Sequence, residues 1–264
     1  LQRDLNFKRD IWMLAGKKGL VIGIANDKSI AYGCAQAFRR DGADLAVTYL
    51  NQKAEKYVRP LAENVDASII APFDVCDEAQ ADALFADIGE KWGKLDFVLH
   101  CIAFAPADDL HGRVVDCSRD GFLTAMDISC HSFQRIAKRA EPLMADGGAL
   151  LTVSYMGSER VIDHYGIMGP VKAALESATR YMAAELGPQG IRVHAISPGP
   201  LLTRAASGIA EFDNLMTQAR TRSPEHRLVT IDEIGDLASF LASDRSRAIT
   251  GDVIHIDGGY HIMG

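Results

Sequence analysis

Seven short apolar runs recur along this chain, each separated from the next by a stretch of helical character. This alternation restricts the fold more than any other feature. The runs cover residues 19–23, 44–49, 67–71, 96–101, 149–153, 192–197 and 252–256. Several are nearly continuous in Val, Ile, Leu and Ala, the pattern of strands buried on both faces. Helices are expected at 29–40, 52–63, 78–92, about 120–144, 166–187 and 231–242, with Ser29 placed to cap the first. Strands joined through helices run parallel, and right-handed crossovers place helices on both faces. The expected fold is α/β: a single-domain Rossmann-type, doubly wound parallel sheet of seven strands. Ligands bind such a sheet at the carboxyl ends of its strands. No internal repeat, low-complexity tract or linker divides the 264 residues, so one domain is expected, with residues 1–14 as an N-terminal extension.

A formal charge of −7 argues against nucleic acid as the main partner, since phosphate binding needs a basic face. No apolar run approaches the roughly 20 residues that cross a bilayer, and no signal peptide opens the chain. Cys34, Cys76, Cys101, Cys117 and Cys130 are scattered without CxxC spacing, which favours reduced, buried thiols and a cytoplasmic location. The eight histidines show no HExxH or Cys/His spacing, so no metal site is expected.

One spacing points to chemistry. Tyr165 and Lys172 are separated by six residues, and Tyr155 lies ten positions upstream of Tyr165 where the fifth strand should end. If a helix starts near Gly166, Lys172 stands about two turns beyond Tyr165, and both can line one cleft. A phenol beside a cation suits hydride transfer to a carbonyl or conjugated carbonyl. The first strand, moreover, runs into Gly23-Ile24-Ala25-Asn26-Asp27-Lys28-Ser29-Ile30-Ala31. That is the strand–turn–helix position of a pyrophosphate site, although it is not GxGxxG and an ordinary βα loop would look the same.

Together the loop and the Tyr/Lys spacing resemble those of the enoyl-acyl carrier protein reductases, a divergent branch of the short-chain dehydrogenase/reductase superfamily. Ordinary members carry a TGxxxGxG loop and Tyr-x3-Lys, but the position nearer the lysine here is Met168. The Gly-x5-Ser-Ile-Ala loop and the Tyr-x9-Tyr-x6-Lys array mark the enoyl reductases. The likeness runs from about residue 14 to residue 260. It takes in His100-Cys-Ile-Ala-Phe-Ala-Pro106, Ala195-Ile-Ser-Pro-Gly-Pro200, Ala205-Ala-Ser-Gly208 and Asp257-Gly-Gly259.

The resemblance implies reduction of a trans-2-enoyl thioester, carried by acyl carrier protein, at its β-carbon by hydride from NADH. Gly23, Ser29 and Ile30 would hold the pyrophosphate, and Asp74 and Val75 would frame the adenine. Ile102 would lie along the cofactor, and Leu201, Thr203 and Ala205 would approach the carboxamide. Tyr165 would donate to the enolate oxygen, and Lys172 would grip the nicotinamide ribose and favour an ionised or polarised phenol. Tyr155 would line the substrate pocket with Ala105, Met168 and Met216, beside Phe104, Met156 and Ile209. Residues 201–222 would form a substrate-binding flap, whose Arg204, Arg220 and Arg222 could meet an acidic carrier. Ser129 falls near an asparagine that ordinary members use in proton relay.

Each residue keeps a plainer alternative. Ile102 and Val75 would serve as core anywhere, Asp74 could cap a helix, and Tyr155 could be half-buried packing. After the second strand the chain reads Leu50-Asn51-Gln52-Lys53, with no immediate basic residue for a 2′-phosphate, so NADH is favoured over NADPH. Family members are commonly homotetramers, which implies the same here, with small residues such as Ala173, Ala174 and Ala178 at a helix interface. Two other functions stay open: a short-chain oxidoreductase acting on a ketone, 3-ketoacyl thioester or alcohol, and a dinucleotide- or carrier-binding protein without turnover.

Overall fold

In the computed structural model, which describes residues 12–203 and 212–263 apart from the Phe212 side chain, all seven expected strands join one sheet. They are β1 (Lys18–Ile22), β2 (Asp44–Tyr49), β3 (Ile69–Pro72), β4 (Phe97–His100), β5 (Gly148–Val153), β6 (Ile191–Pro198) and β7 (Val253–Ile256). The order is β3-β2-β1-β4-β5-β6-β7, and every neighbouring pair is parallel. Pro72 ends β3, which lies at the sheet edge where a missing N–H costs least. The chain winds outward from β1 to β3, then crosses to β4 on the other side of β1. The carboxyl ends of β1 and β4 therefore diverge into the crevice where such folds bind ligands.

The crossovers are α1 (Ile30–Arg40), α2 (Gln52–Asn64), α3 (Glu78–Trp92), a short α4 (Ala107–Leu110), α5 (Arg119–Met126), α6 (Ser132–Ala140), α7 (Met168–Leu186), α8 (Phe212–Arg222) and α9 (Ile231–Ala242). Strand side chains alternate between two cores. Val21, Leu45, Phe97, Leu99 and Leu151 pack against α1, α2 and α9. Leu20, Ile22, Val98, Leu150 and Val193 pack against α3, α6 and α7. Each fully buried large side chain contributes on the order of 1.5–3 kcal/mol. Leu14, inside the expected N-terminal extension, is fully buried in the first of these cores, and its N–H donates to the Asp41 carbonyl.

The expected single helix over about 120–144 is instead broken. Between α5 and α6 the backbone opens into one π-helical turn, Asp127–His131, and after α6 it tightens into a 3₁₀ turn, Glu141–Leu143. Two serines act at the wider turn. Ser132 Oγ donates to the Ile128 carbonyl at 2.6 Å, and Ser129 turns toward the β4 loop. Such turns often mark functional sites. Apolar periodicity continues through them and does not reveal them.

Candidate active site

The loop after β1 is shaped by a backbone requirement. Gly23 has φ +111°, and a Cβ there would lie 2.0 Å from the Cys101 carbonyl oxygen, so the ends of β1 and β4 can approach only through glycine. Ser29 occupies the N-cap position of α1, yet its hydroxyl does not cap the helix. It turns back and accepts from the Ala25 and Asn26 N–H groups, both at 3.0 Å. The expected cap is thus a clasp on the loop. The N–H groups of Tyr32 and Gly33 return to the Ser29 carbonyl, leaving Ile30 at the head of the helix beside the cleft.

One cleft of about 350 Å³ gathers most of the expected residues. Gly23, Ser29 and Ile30 come from the β1–α1 loop, and Ile102 and Ala105 from beyond β4. Tyr155 follows β5, Tyr165, Met168 and Lys172 lie at the head of α7, and Leu201 and Thr203 follow β6. Phe104 also lines it, half exposed. The helix opens at Met168, later than expected, and a turn in which the Met168 N–H donates to the Tyr165 carbonyl joins the tyrosine to it.

Tyr155 and Tyr165 meet edge to face, ring centroids 5.0 Å apart. Gly157 permits this, because a Cβ there would fall 2.5 Å from the Tyr165 ring. Burial, with Tyr155 and Glu176 nearby, holds the Tyr165 phenol above its ordinary range; burial, with Tyr260 and Asp257, does the same for Tyr155. Both are therefore neutral. Of the ionised or polarised phenol expected, this favours the neutral, polarised form, since desolvation is the largest influence on Tyr165. Among the described residues the buried Tyr155 hydroxyl has no hydrogen-bond partner.

Lys172 is buried and donates to the Val153 carbonyl at 2.7 Å. Burial pushes its ammonium down to about 8, opposed by the Cys101 and Cys130 thiols and the Glu176 carboxylate. Behind it His100 bridges Thr152 Oγ1 and Ser132 Oγ at 3.0 and 2.8 Å, and burial and the Lys172 charge push it down to about 3. Ser129 Oγ accepts from the Phe104 N–H and donates to the Phe104 carbonyl, so it fixes the loop that lines the cleft. Burial pushes the Cys101 thiol up to about 11, which makes it a poor nucleophile despite its place in the lining. All five cysteines are free; Cys34 and Cys130 are buried as expected, whereas Cys76 is exposed.

Other expected residues stand apart. Asp74 lies beyond β3 outside the lining; its carboxylate accepts from the Cys76 N–H, and the cap of α3 is Asp77. Val75 is buried in the core. Met216 is half-buried on α8, whose Leu215 and Arg222 border a second cavity of about 450 Å³ with Met156, Ile162 and Tyr260. Ala205, Arg204 and Ile209 lie outside the described residues. The structure also brings together three potential metal ligands, His255, Asp257 and His261, with donor atoms within 4.8 Å of one another. Their geometry is that of a hydrogen-bonded turn: the two rings stack at 4.0 Å, and Asp257 accepts from the Gly259 and His261 N–H groups and faces His261 Nδ1 at 2.9 Å.

Residues 23–261 match the family model described as enoyl-(acyl carrier protein) reductase. The chain belongs to that family. Among its relatives is the Rhizobium meliloti enoyl-[acyl-carrier-protein] reductase [NADH] 1, 47% identical over 96% of this chain and 93% of that protein. The Salmonella typhimurium enoyl-[acyl-carrier-protein] reductase [NADH] is 48% identical over 94% and 95%. Among solved structures, the Anaplasma phagocytophilum reductase in complex with NAD superposes with a TM-score of 0.92, at 48% identity and 96% coverage of both chains. The Bacillus cereus reductase, with NADP+ and an indole naphthyridinone, gives 0.93 at 44% identity, covering 96% of this chain and 99% of that one.

Within this family member, sequence reasoning missed Glu176. It stands one turn beyond Lys172 on α7 and accepts from the hydroxyls of Ser154 and Ser158, the latter at 2.6 Å. In sequence it is one more helical glutamate; the only available signal is its i+4 spacing from Lys172.

Proposed function

We propose that this chain reduces trans-2-enoyl thioesters of acyl carrier protein with NADH, as an enoyl-acyl carrier protein reductase of fatty acid synthesis. The observation that carries this reading is the convergence of Gly23, Ser29, Tyr155, Tyr165 and Lys172 on one cleft. The cleft suits a dinucleotide: the Gly23 turn admits no Cβ, and the head of α1 offers the positive end of a helix to a pyrophosphate. When bound, the reduced nicotinamide supplies the hydride that adds to the β-carbon.

The chain's own residues do the rest. Hydride addition pushes electrons onto the thioester oxygen, and a neutral Tyr165 donates a hydrogen bond there as the enolate forms. A proton at the α-carbon completes the reduction; the Tyr165 phenol, protonated through burial, is its source, and the phenolate left behind takes a proton back from water before the next turnover. Lys172 has one donor on Val153 and two more to hold the ribose hydroxyls. Tyr155 packs on the acyl thioester beside Met168 and Ala105. Ser154, whose hydroxyl donates to Glu176, does not serve the substrate.

Gly23, Ser29 and Ile30 hold the pyrophosphate and Ile102, Leu201, Thr203 and Ala205 the nicotinamide half, while Asp74 and Val75, beyond the end of β3 and outside the cleft, frame the adenine. Of the 201–222 flap, residues 201–203 and α8 lie among the described residues, and Met216 on α8 serves the acyl chain. Asn51 caps α2 by accepting from the Ala54 N–H, and the residues directly after β2, Leu50-Asn51-Gln52, include no basic side chain for a 2′-phosphate, which supports NADH over NADPH. No described helix is long and apolar enough to cross a membrane. Free cysteines fit a cytoplasmic enzyme. Exposed Phe122 and Leu123 on α5 and Tyr181 on α7 favour a homotetramer built through these helices.

Oxidation of NADH and NADPH followed with crotonyl, dodecenoyl and acetoacetyl thioesters tests the reading. Turnover of both enoyl substrates, faster with NADH, is expected. Turnover of the acetoacetyl thioester alone would make the protein a ketone reductase, and NADH binding with no turnover would make it a binding protein. Sedimentation tests the tetramer.

A further inference from the structure

Glu176 is 5% exposed, and among the described residues no Lys, Arg or His lies within ion-pair distance of it. A carboxylate buried this way needs compensation. It comes from two hydroxyls that converge on one oxygen, Oε1: Ser154, the residue before Tyr155, and Ser158, three residues after it. The two bonds therefore hold the segment on both sides of the tyrosine. Glu176 is also i+4 from Lys172, on the same face of α7.

Resting on the reading that Lys172 grips the cofactor and Tyr155 the substrate, we propose that Glu176 is a positioning residue with two tasks. It fixes Tyr155 through Ser154 and Ser158, and it supplies the counter-charge to Lys172 one turn away.

The surroundings of Lys172 assign that second task to Glu176. From the end of β4 it faces His100, which is neutral above about pH 3, and Cys101, whose thiol is neutral up to about 11. From the π-helical turn it faces Cys130, a thiol that burial also holds protonated. From β5 comes the Val153 carbonyl. Among these groups Glu176 is the one carboxylate, and it acts to keep the ammonium protonated against its burial.

Measuring the NADH dissociation constant from pH 6.5 to 9.5, with kcat and KM for crotonyl thioester, tests both tasks. Wild type is expected to lose NADH affinity through about pH 8, as Lys172 loses its proton. Glu176→Gln keeps an acceptor for the serines and removes the charge, so the midpoint of that loss is expected to move down by about one pH unit, the effect of one nearby charge. Ser154→Ala and Ser158→Ala, made together, keep the charge and free the loop. They are expected to leave the midpoint in place and raise KM for the enoyl thioester several-fold, about one lost hydrogen bond.

Should Glu176→Gln weaken NADH equally at every pH, with the midpoint unmoved, the counter-charge role is overturned. An unchanged KM in the double serine variant overturns the Tyr155 role. If Glu176→Gln does not fold, Glu176→Asp keeps the charge and shortens the reach: an unmoved midpoint with a raised KM supports the proposal, and a moved midpoint contradicts it. Lys172→Met separates the two levels. If it retains wild-type affinity and the same alkaline loss, the assignment of Lys172 fails. If it abolishes that loss while Glu176→Gln does not shift it, the inference alone fails.

Discussion

The two walls of the cleft are made of different material. The wall after β1 is built from backbone: Gly23 at positive φ, a loop clasped by Ser29, and the head of α1. The wall after β5 is built from side chains: Tyr155 and Tyr165 meet edge to face, and Lys172, backed by Glu176 one turn on, is buried on α7. A backbone wall offers N–H groups that do not titrate, and it fails when a Cβ intrudes. A side-chain wall fails atom by atom and carries its electrostatics in groups whose charge depends on pH. On this account the first wall holds the pyrophosphate, and the second grips the nicotinamide ribose through Lys172 and acts on the substrate through Tyr165.

The sharpest way to break the comparison is Gly23→Ala. A Cβ 2.0 Å from a carbonyl oxygen must push β1 and β4 apart, and NADH affinity is expected to fall on the order of 100-fold. Titration calorimetry checks this, alongside a melting curve to confirm folding; wild-type affinity would mean that the turn does not shape the site. Lys172→Met crosses to the other wall. Removing charge-assisted bonds to the ribose is expected to weaken NADH about tenfold or more, and the alkaline loss of affinity should vanish with it.

Ser29→Ala tests whether the clasp matters. Two loop N–H groups lose their acceptor, and about a fivefold loss in NADH affinity is expected with kcat nearly unchanged. If Ser29 were an ordinary helix cap, α1 would lose stability instead. The gentlest effect per step is acid instability. His100 and His194 are held at about 3 and about 4 in the fold against 6.5 ordinarily, so the unfolded chain binds more protons below pH 6.5. Their contribution is complete above that pH and is lost as it falls, by at most about 1.4 kcal/mol per pH unit for each. Urea midpoints at pH 7.5, 6.5, 5.5 and 4.5 should decline from 6.5 downward; a flat series would show that these rings are hydrated.

The two walls also differ in how legible they were in the sequence. Apolar runs and crossovers gave the seven strands, because buried parallel strands need no alternation and leave continuous Val, Leu and Ile. Once the strands are placed, Gly23 and Tyr155 fall at carboxyl ends of one sheet, and the Tyr-x6-Lys spacing adds Tyr165 and Lys172. The clasp by Ser29 was not legible, because a serine before a helix reads as a cap until the loop's own geometry is known. Nor was the π-helical turn, whose cause lies in contacts to another segment. Glu176 was missed for the same reason: its partners arrive from β5, 18 and 22 residues away. The neutral state of Tyr165 likewise depends on burial, which spacing does not report.

The central claim is that Tyr165 acts on the reacting substrate and not on cofactor binding. The direct measurement is Tyr165→Phe, with the NADH dissociation constant and single-turnover reduction of crotonyl thioester determined on the same preparation. The account expects NADH affinity within about twofold of wild type and the hydride-transfer rate down by about 10²–10³-fold, the loss of one donor to a developing oxyanion. Unimpaired reduction by the phenylalanine variant would contradict it.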